Sequence, residues 1–347
     1  MPASTATAVT PTPRPTPRAT SVDVTPRSAP ANPCEQALDR WCERRSTTPL
    51  KVAVAYSAGA DSTALLLAAY QRWPAHVVAL HVNHGLQTAA DGFELHARQF
   101  CEQRGIALCV ERVNAAHEAG QSPEDAARLA RYAALARMAR EVGADCVLLA
   151  QHADDQAETL LLALSRGAGL PGLASMPEWF ERAGMTFGRP LLDVPASDLR
   201  AWLQAQGHAF VDDPSNTDTR FTRNRIRAML MPAWEACFPG FRPMLARSAR
   251  HAAQAQRLLD QLAALDLAHT GVPPQIAQLQ SLARDRQANA LRHWLRTSEG
   301  VAASTTQLDE LLDQIAACTT RGHRIHIKVG PGHVERIGEC LGYTPAL

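Results

Sequence analysis

From residue 51 onward the chain alternates short apolar runs with longer stretches of helical period. Val52 to Tyr56, Val77 to Val82, Leu108 to Val113 and Cys146 to Ala150 are largely apolar at successive positions, as strands buried on both faces are. Between and after them the spacing predicts helices over Asp61 to Arg72, Gly92 to Arg104, Pro123 to Val142 and Asp154 to Ser165. The third opens Ser122-Pro123-Glu124-Asp125, with a capping side chain, proline at the first helical position and acids in the first turn. This alternation predicts an α/β fold with a doubly wound, mostly parallel sheet, and such sheets bind ligands at the carboxyl ends of their strands. After Pro239, Ala, Gln, Leu and Arg recur at helical spacing to about residue 296, with a break at Gly271-Val272-Pro273-Pro274. That texture predicts a smaller, mainly helical second domain. Thr305 to Ala317 reads as one more helix, and Arg324 to Val329 as a strand of a small final hairpin.

Residues 1–33 hold eight prolines, seven threonines and six alanines, with three valines as the only sizeable apolar side chains. Such a segment cannot bury enough to offset its ordering entropy and is expected to be a disordered tail. Its arginines faintly suggest an organellar transit peptide, but the proline density spoils the amphipathic helix that such peptides form. The expected division is therefore 1–33 tail, 34–235 α/β domain, 236–320 helical domain and 321–347 short C-terminal extension.

Composition narrows the class. Of 347 residues, 46% are apolar and 20% charged, which fits a packed globular protein. No run approaches the roughly 18 apolar residues of a spanning helix, so a cytoplasmic protein with no membrane partner is expected. Eight cysteines lie scattered without a C-x-x-C, which argues against a disulfide framework or a sequence-local metal site. The net charge of +1 hides an uneven distribution: residues 220–260 carry eight arginines against Glu235 and Asp260, a local +6 and a candidate polyanion surface.

Between the first strand and its helix lies Ser57-Ala58-Gly59-Ala60-Asp61-Ser62. Small residues there present backbone N–H groups and the positive end of a helix dipole, as a pyrophosphate requires. The loop lacks the G-K-[ST] of a Walker motif and the G-x-G-x-x-G of a dinucleotide fingerprint. Further along, Asp154, Asp155 and Glu158 fall within one helical turn at the end of the fourth strand. Close carboxylates repel unless a cation sits among them, so a metal ion or an ammonium substrate is the natural occupant; helix-dipole complementation is the plainer alternative. Arg128, Arg131 and Tyr132 share a helix, and the two arginines either grip phosphate or are solvated charges. His81, His84 and His152 as a zinc triad is weaker than hydrogen-bonded scaffold, because no fixed metal spacing relates them.

The loop is similar to the S-G-G-x-D-S loop of the N-type ATP pyrophosphatases. Taken with His81-Val82-Asn83-His84-Gly85-Leu86, the run Asp154-Asp155-Gln156-Ala157-Glu158-Thr159, the turn from Arg166 to Leu173 and the stretch from Asp212-Asp213-Pro214-Ser215-Asn216 to Arg227, the chain over residues 50–232 resembles the tRNA(Ile)-lysidine synthetases. Departures are Ala58 in place of glycine, Gln151 where histidine is common and Asp212 where glutamate is common. The resemblance implies a Rossmann-like fold of the adenine nucleotide alpha hydrolase type. It also implies an ATP-dependent carbon–nitrogen ligase that adenylates the C2 oxygen of the wobble cytidine of tRNA(Ile) bearing CAU and joins free lysine to it. Its catalytic residues are then Asp61, Asp155 and Glu158. ATP lies on Ser57, Ala58, Gly59, Ala60, Asp61 and Ser62 with Arg128, and Mg²⁺ on Asp61 and Asp155. The remaining substrate contacts fall to His84, Asp154, Arg131, Arg220, Arg223, Asn224 and Arg227. A homodimer is left open.

The alternatives are another ATP pyrophosphatase such as a tRNA thiolase, which the absence of C-x-x-C disfavours; an amidating ligase, for which no glutaminase nucleophile motif is visible; and a non-enzymatic RNA-binding protein, which has no use for Asp61 together with Asp155 and Glu158.

Overall fold

The computed structural model describes residues 31–45, 48–83, 89–113, 123–213, 216, 218–320 and 322–345. The first of its elements is α1 (Pro33–Glu43), a helix that the sequence reading did not pick out although Asn32 caps it and proline opens it. Then come β1 (Val52–Ala55), α2 (Ala60–Arg72), β2 (Val77–Asn83), α3 (Ala89–Glu102), β3 (Ala107–Arg112), α4 (Pro123–Glu141), β4 (Cys146–Leu148) and α5 (Ala153–Ser165). All four expected strand–helix pairs are present, with no end shifted by more than three residues. The Ser122 cap of α4 lies outside the described residues.

A short α6 (Leu170–Leu173) leads to β5 (Trp179–Arg182) and β6 (Met185–Gly188), a hairpin absent from the sequence expectations, and α7 (Ala196–Ala205) follows. The sheet runs β3-β2-β1-β4-β6-β5, parallel throughout except for β5 at the edge. Helices α1, α2, α3 and α7 bury Trp41, Leu65, Phe100 and Leu199 against one face, and α4 buries Tyr132, Leu135 and Met138 against the other. After β1 the chain moves outward through β2 and β3, then returns to place β4 on the other side of β1. The crevice at the carboxyl ends of β1 and β4 is therefore the switch point at which such sheets bind ligands.

The second half is helical, as expected. The run α8 (Thr222–Arg225), a π turn over Ile226–Leu230 and α9 (Met231–Cys237) precedes the long α10 (Phe241–Thr270). Next come α11 (Ile276–Gln280), α12 (Arg284–Ser298) and α13 (Thr305–Ala317). The final hairpin is instead a three-stranded antiparallel sheet of β7 (His326–Val329), β8 (Gly332–Ile337) and β9 (Cys340–Pro345). Ile327, Val329, Val334 and Leu341 share one apolar core with Trp294, Leu311 and Ile315, so these strands close the core that α12 and α13 leave open. No helix among the described residues is long and apolar enough to cross a membrane.

Gly188 shows how tightly α1 is seated. A Cβ built there falls inside the indole of Trp41 and lies 3.1 Å from Leu148 Cδ2. Gly188→Ala is expected to destabilise the fold by about 1–3 kcal/mol through overpacking, read as a lower denaturant midpoint.

Candidate active site

At the switch point β1 turns into α2 through the small-residue loop. Ala58 adopts φ +68° with its methyl buried. This left-handed conformation favours glycine and costs alanine on the order of 1 kcal/mol, so the departure at Ala58 is tolerated at a small expense. The carbonyl of Ala58 accepts from Val211 N at 2.9 Å, which fastens the loop to the segment before Asp212. The Ser57 and Ser62 hydroxyls lie 3.0 Å apart, and Ser62 Oγ donates to the Gly59 carbonyl at 3.0 Å. Gly59 caps α2 without a side chain, which leaves the amides of the first turn for a ligand.

Opposite, His152 caps α5 in a reciprocal box. Asp155 Oδ2 accepts from His152 N at 3.1 Å, and Asp155 N lies 3.4 Å from His152 Nδ1. The Nε2 of His152 lies 3.6 Å from Asp61 Oδ2 and 3.5 Å from Asp155 Oδ2. Burial pulls the imidazole pKa down, but the Asp61 carboxylate and the charges of Asp155 and Asp154 outweigh it and raise it to about 9. Asp61 and Asp155, distant in sequence, thus converge on one point between the two strand ends. Asp61 Oδ1 is buried with no hydrogen-bond partner, a hard oxygen suited to a cation. Among the described residues no three His, Cys, Asp or Glu side chains form a complete metal cage. Mg²⁺ in phosphate chemistry takes one or two carboxylates, the rest coming from phosphates and water, so the pair fits it.

The other two acids of α5 are engaged elsewhere. Asp154 accepts from Ala196 N at 2.9 Å and from Arg242 Nε at 2.6 Å, tying α5 to α7 and α10. Glu158 is fully buried; Oε1 accepts from Arg227 Nε at 2.8 Å, Oε2 has no hydrogen-bond partner, and burial pushes its pKa up against the pull of Arg227. Arg227 also stands 3.5 Å from Asp155, and Arg223 lies 3.9 Å from Glu158 and donates to Thr159 Oγ1. Arg220 pairs with Asp218, whose carbonyl accepts from Asn224 Nδ2 at 2.9 Å, and Arg250 pairs with Asp193. The basic excess counted along residues 220–260 is therefore partly neutralised by acids from other elements, whereas Arg225 and Arg247 form no ion pair among the described residues.

Between these groups opens a cleft of about 600 Å³. Ser57, Gly59, Asp61 and Ser62 line it on one side, Arg128 and Arg131 on another, and Gln151 and Asp155 at the end of β4; Ala58, Asp154 and Glu158 do not. Its wall contains no cysteine, and all eight cysteines are free thiols. His81 also lines it, giving its Nδ1 proton to the Tyr56 carbonyl at 2.8 Å, with its pKa lowered by burial. The imidazoles of His81 and His152 thus both have contacts within the protein, while His84 lies outside the described residues.

Two supporting residues escaped sequence reasoning. Glu94 on α3 accepts from Asn83 at 2.9 Å and from Arg98 at 2.8 Å, and so anchors the cleft-lining end of β2. Arg189, just after β6, is buried and donates to Gln151, Tyr132 and the Pro177 carbonyl. Neither belongs to a local motif; each lies far in sequence from a residue that it holds.

A family model described as a PP-loop domain matches residues 31–234, the part that carries the sheet and the cleft. A second, described as a TilS substrate binding domain, matches residues 275–339. The tRNA(Ile)-lysidine synthase of Polaromonas naphthalenivorans is 59% identical over 301 residues, covering 87% of this chain and 92% of that one. The chain belongs to the tRNA(Ile)-lysidine synthase family. Another member, from Bordetella pertussis, is 39% identical, with 84% of this chain and 94% of that one covered. The member from Burkholderia mallei is 44% identical over 77% of this chain but only 56% of its own length. Among solved structures, a U34-tRNA thiolase from Methanococcus maripaludis shares the fold at TM-score 0.53 and 18% identity, covering 63% of this chain and 77% of that one. The resemblance read from the motifs is thereby established, and the family reading displaces the thiolase alternative.

The Asn83 and Arg98 hydrogen bonds hold the Glu94 pKa down to about 2. A depressed carboxyl stabilises the fold above its ordinary pKa, and the contribution fades as pH falls toward the folded value. Glu94→Gln is expected to be less stable than the parent at pH 7, and the gap to close as pH drops from about 4.5 toward about 2. Urea titrations across that range read the gap.

Proposed function

We propose that this chain converts the wobble cytidine of tRNA(Ile) bearing CAU to lysidine, with ATP and free lysine as co-substrates, and acts in the cytoplasm. The observation that carries the reading is the convergence of the Ser57–Ser62 loop with Asp61 and Asp155 across one cleft. In this reading residues 34–235 bind and cleave ATP, 236–320 hold the tRNA and 321–347 are a short C-terminal extension.

The chemistry assigns each group a task. The first-turn amides of α2, the Ser57 and Ser62 hydroxyls and Arg128 grip the triphosphate. The C2 oxygen of the cytosine attacks the α-phosphorus, the bond to the β-phosphate oxygen breaks and pyrophosphate leaves. The lysine ε-nitrogen then attacks C2, and AMP departs with the oxygen that was a poor leaving group before adenylation. The amine has to shed a proton to attack, and Asp155, one of the carboxylates that line the cleft, is assigned to take it, with Glu158 behind it setting the local charge. Mg²⁺, held by Asp61 and Asp155, supplies neutralisation of phosphate charge when bound. The cytidine has to leave its loop to reach the strand ends. Arg131, Arg220, Arg223 and Arg227, with Asn224 and His84, are the proposed contacts to the tRNA, and phosphate binding competes with the Asp218 and Glu158 pairs of Arg220 and Arg227.

With ATP, Mg²⁺ and labelled lysine, label is expected to enter unmodified tRNA(Ile) carrying the CAU anticodon but not a transcript with uridine at the wobble position. Asp61→Ala is expected to lower tRNA-dependent pyrophosphate release by about 100-fold or more while tRNA binding by filter assay persists. Pyrophosphate release without label in the tRNA points to another nucleophile.

A further inference from the structure

Arg189 is a buried cation that meets no acid within ion-pair distance among the described residues; its relative exposure is 8%. Its guanidinium lies 4.2 Å over the Phe180 ring, and its donors go to neutral acceptors: Gln151 Oε1 at 3.0 Å, the Pro177 carbonyl at 3.0 Å and the Tyr132 hydroxyl at 3.3 Å. A guanidinium has five donors and no acceptor, so the atom of Gln151 that faces it has to be the carbonyl oxygen. The carboxamide is therefore locked in one orientation, and its NH₂ is the end left for the cleft that Gln151 lines. No bond of that nitrogen to the protein occurs among the described residues. Gln151 follows β4, the strand hydrogen-bonded beside β1, and β1 carries the phosphate loop.

We infer that Gln151 is a substrate-binding residue that donates a hydrogen bond from its carboxamide nitrogen to an acceptor atom of the bound ATP, and that Arg189 is the positioning residue that fixes this polarity. A carboxamide free to rotate presents oxygen and nitrogen by turns, and its oxygen repels phosphate oxygens. The charge of Arg189 favours the oxygen-inward orientation, and the fixed donor is ready before the ligand arrives. Tyr132, which accepts from Arg189 and also lines the cleft, keeps its own hydroxyl proton free to donate in the same way.

The inference rests on the proposed ATP site, and three substitutions test it. Gln151→His keeps the polarity, since a neutral imidazole accepts on one nitrogen and donates on the other. Gln151→Glu keeps the acceptor for Arg189 but has no donor when ionised. Gln151→Met is neutral and removes both. The dissociation constant of a non-hydrolysable ATP analogue with Mg²⁺, and the urea midpoint, are measured for each full-length variant. The His variant is expected to bind within about threefold of the parent, and the Glu and Met variants about tenfold or more weaker, the cost of one hydrogen bond to a charged group. The Glu variant is expected to keep the parental midpoint or exceed it, because it pairs with Arg189, and the Met variant to fall below it. Added charge in one variant and a disturbed Arg189 in the other are different defects, and the lost donor is what they share. Parental binding by the Glu variant, or equal weakening by the His variant, overturns the inference. If the parent itself fails to bind the analogue, it is the ATP reading that fails.

Discussion

Three carboxylates within five residues at the start of α5 have to be kept in place against their mutual repulsion, and the rest of the site depends on how that is done. Each has a cation beside it: Arg242 of α10 for Asp154, Arg227 of the π turn for Glu158, and His152, the cap of α5 itself, for Asp155. Asp61, from the far side of the cleft, shares His152. Removing a partner from a buried carboxylate costs far more than an exposed pair contributes, so the Arg242–Asp154 contact ties α10 firmly to α5.

That arrangement explains which parts of the site were legible in the sequence. The loop from Ser57 to Ser62 and the acids of α5 are local patterns whose spacing fixes their geometry, and the parallel sheet brings both to one edge. Arg227 and Arg242 were legible as basic residues, but counting charge along the chain cannot see that Glu158 and Asp154 lie across from them. Arg189 and Glu94 had no local signal at all, because each acts across the fold on a residue 38 and 11 positions away.

The fold was legible for a similar reason and failed at an instructive place. Strands buried on both faces give continuous apolar runs, and β1 to β4 have them. The β5–β6 hairpin turns through Ala183 at φ +50° and Gly184 at φ +69°, a pair of left-handed residues of the kind that Asn-Gly normally announces. With alanine in the first position and strands of four residues, the turn carries no such signature. The closing sheet was underestimated because its apolar positions alternate with charged ones, and only the core it shares with Trp294 and Leu311 shows why three strands are needed.

The long helix α10 gives the molecule a built-in length. Its 30 residues extend about 45 Å, with one end pinned to α5 through Arg242 and the other packed through Leu267 into the core of α12, α13 and the closing sheet. A ligand that touches both the cleft and that distal core has to bridge a separation that the helix sets. The helix is thus a fixed spacer: it sets how far the core beneath the closing sheet stands from α5.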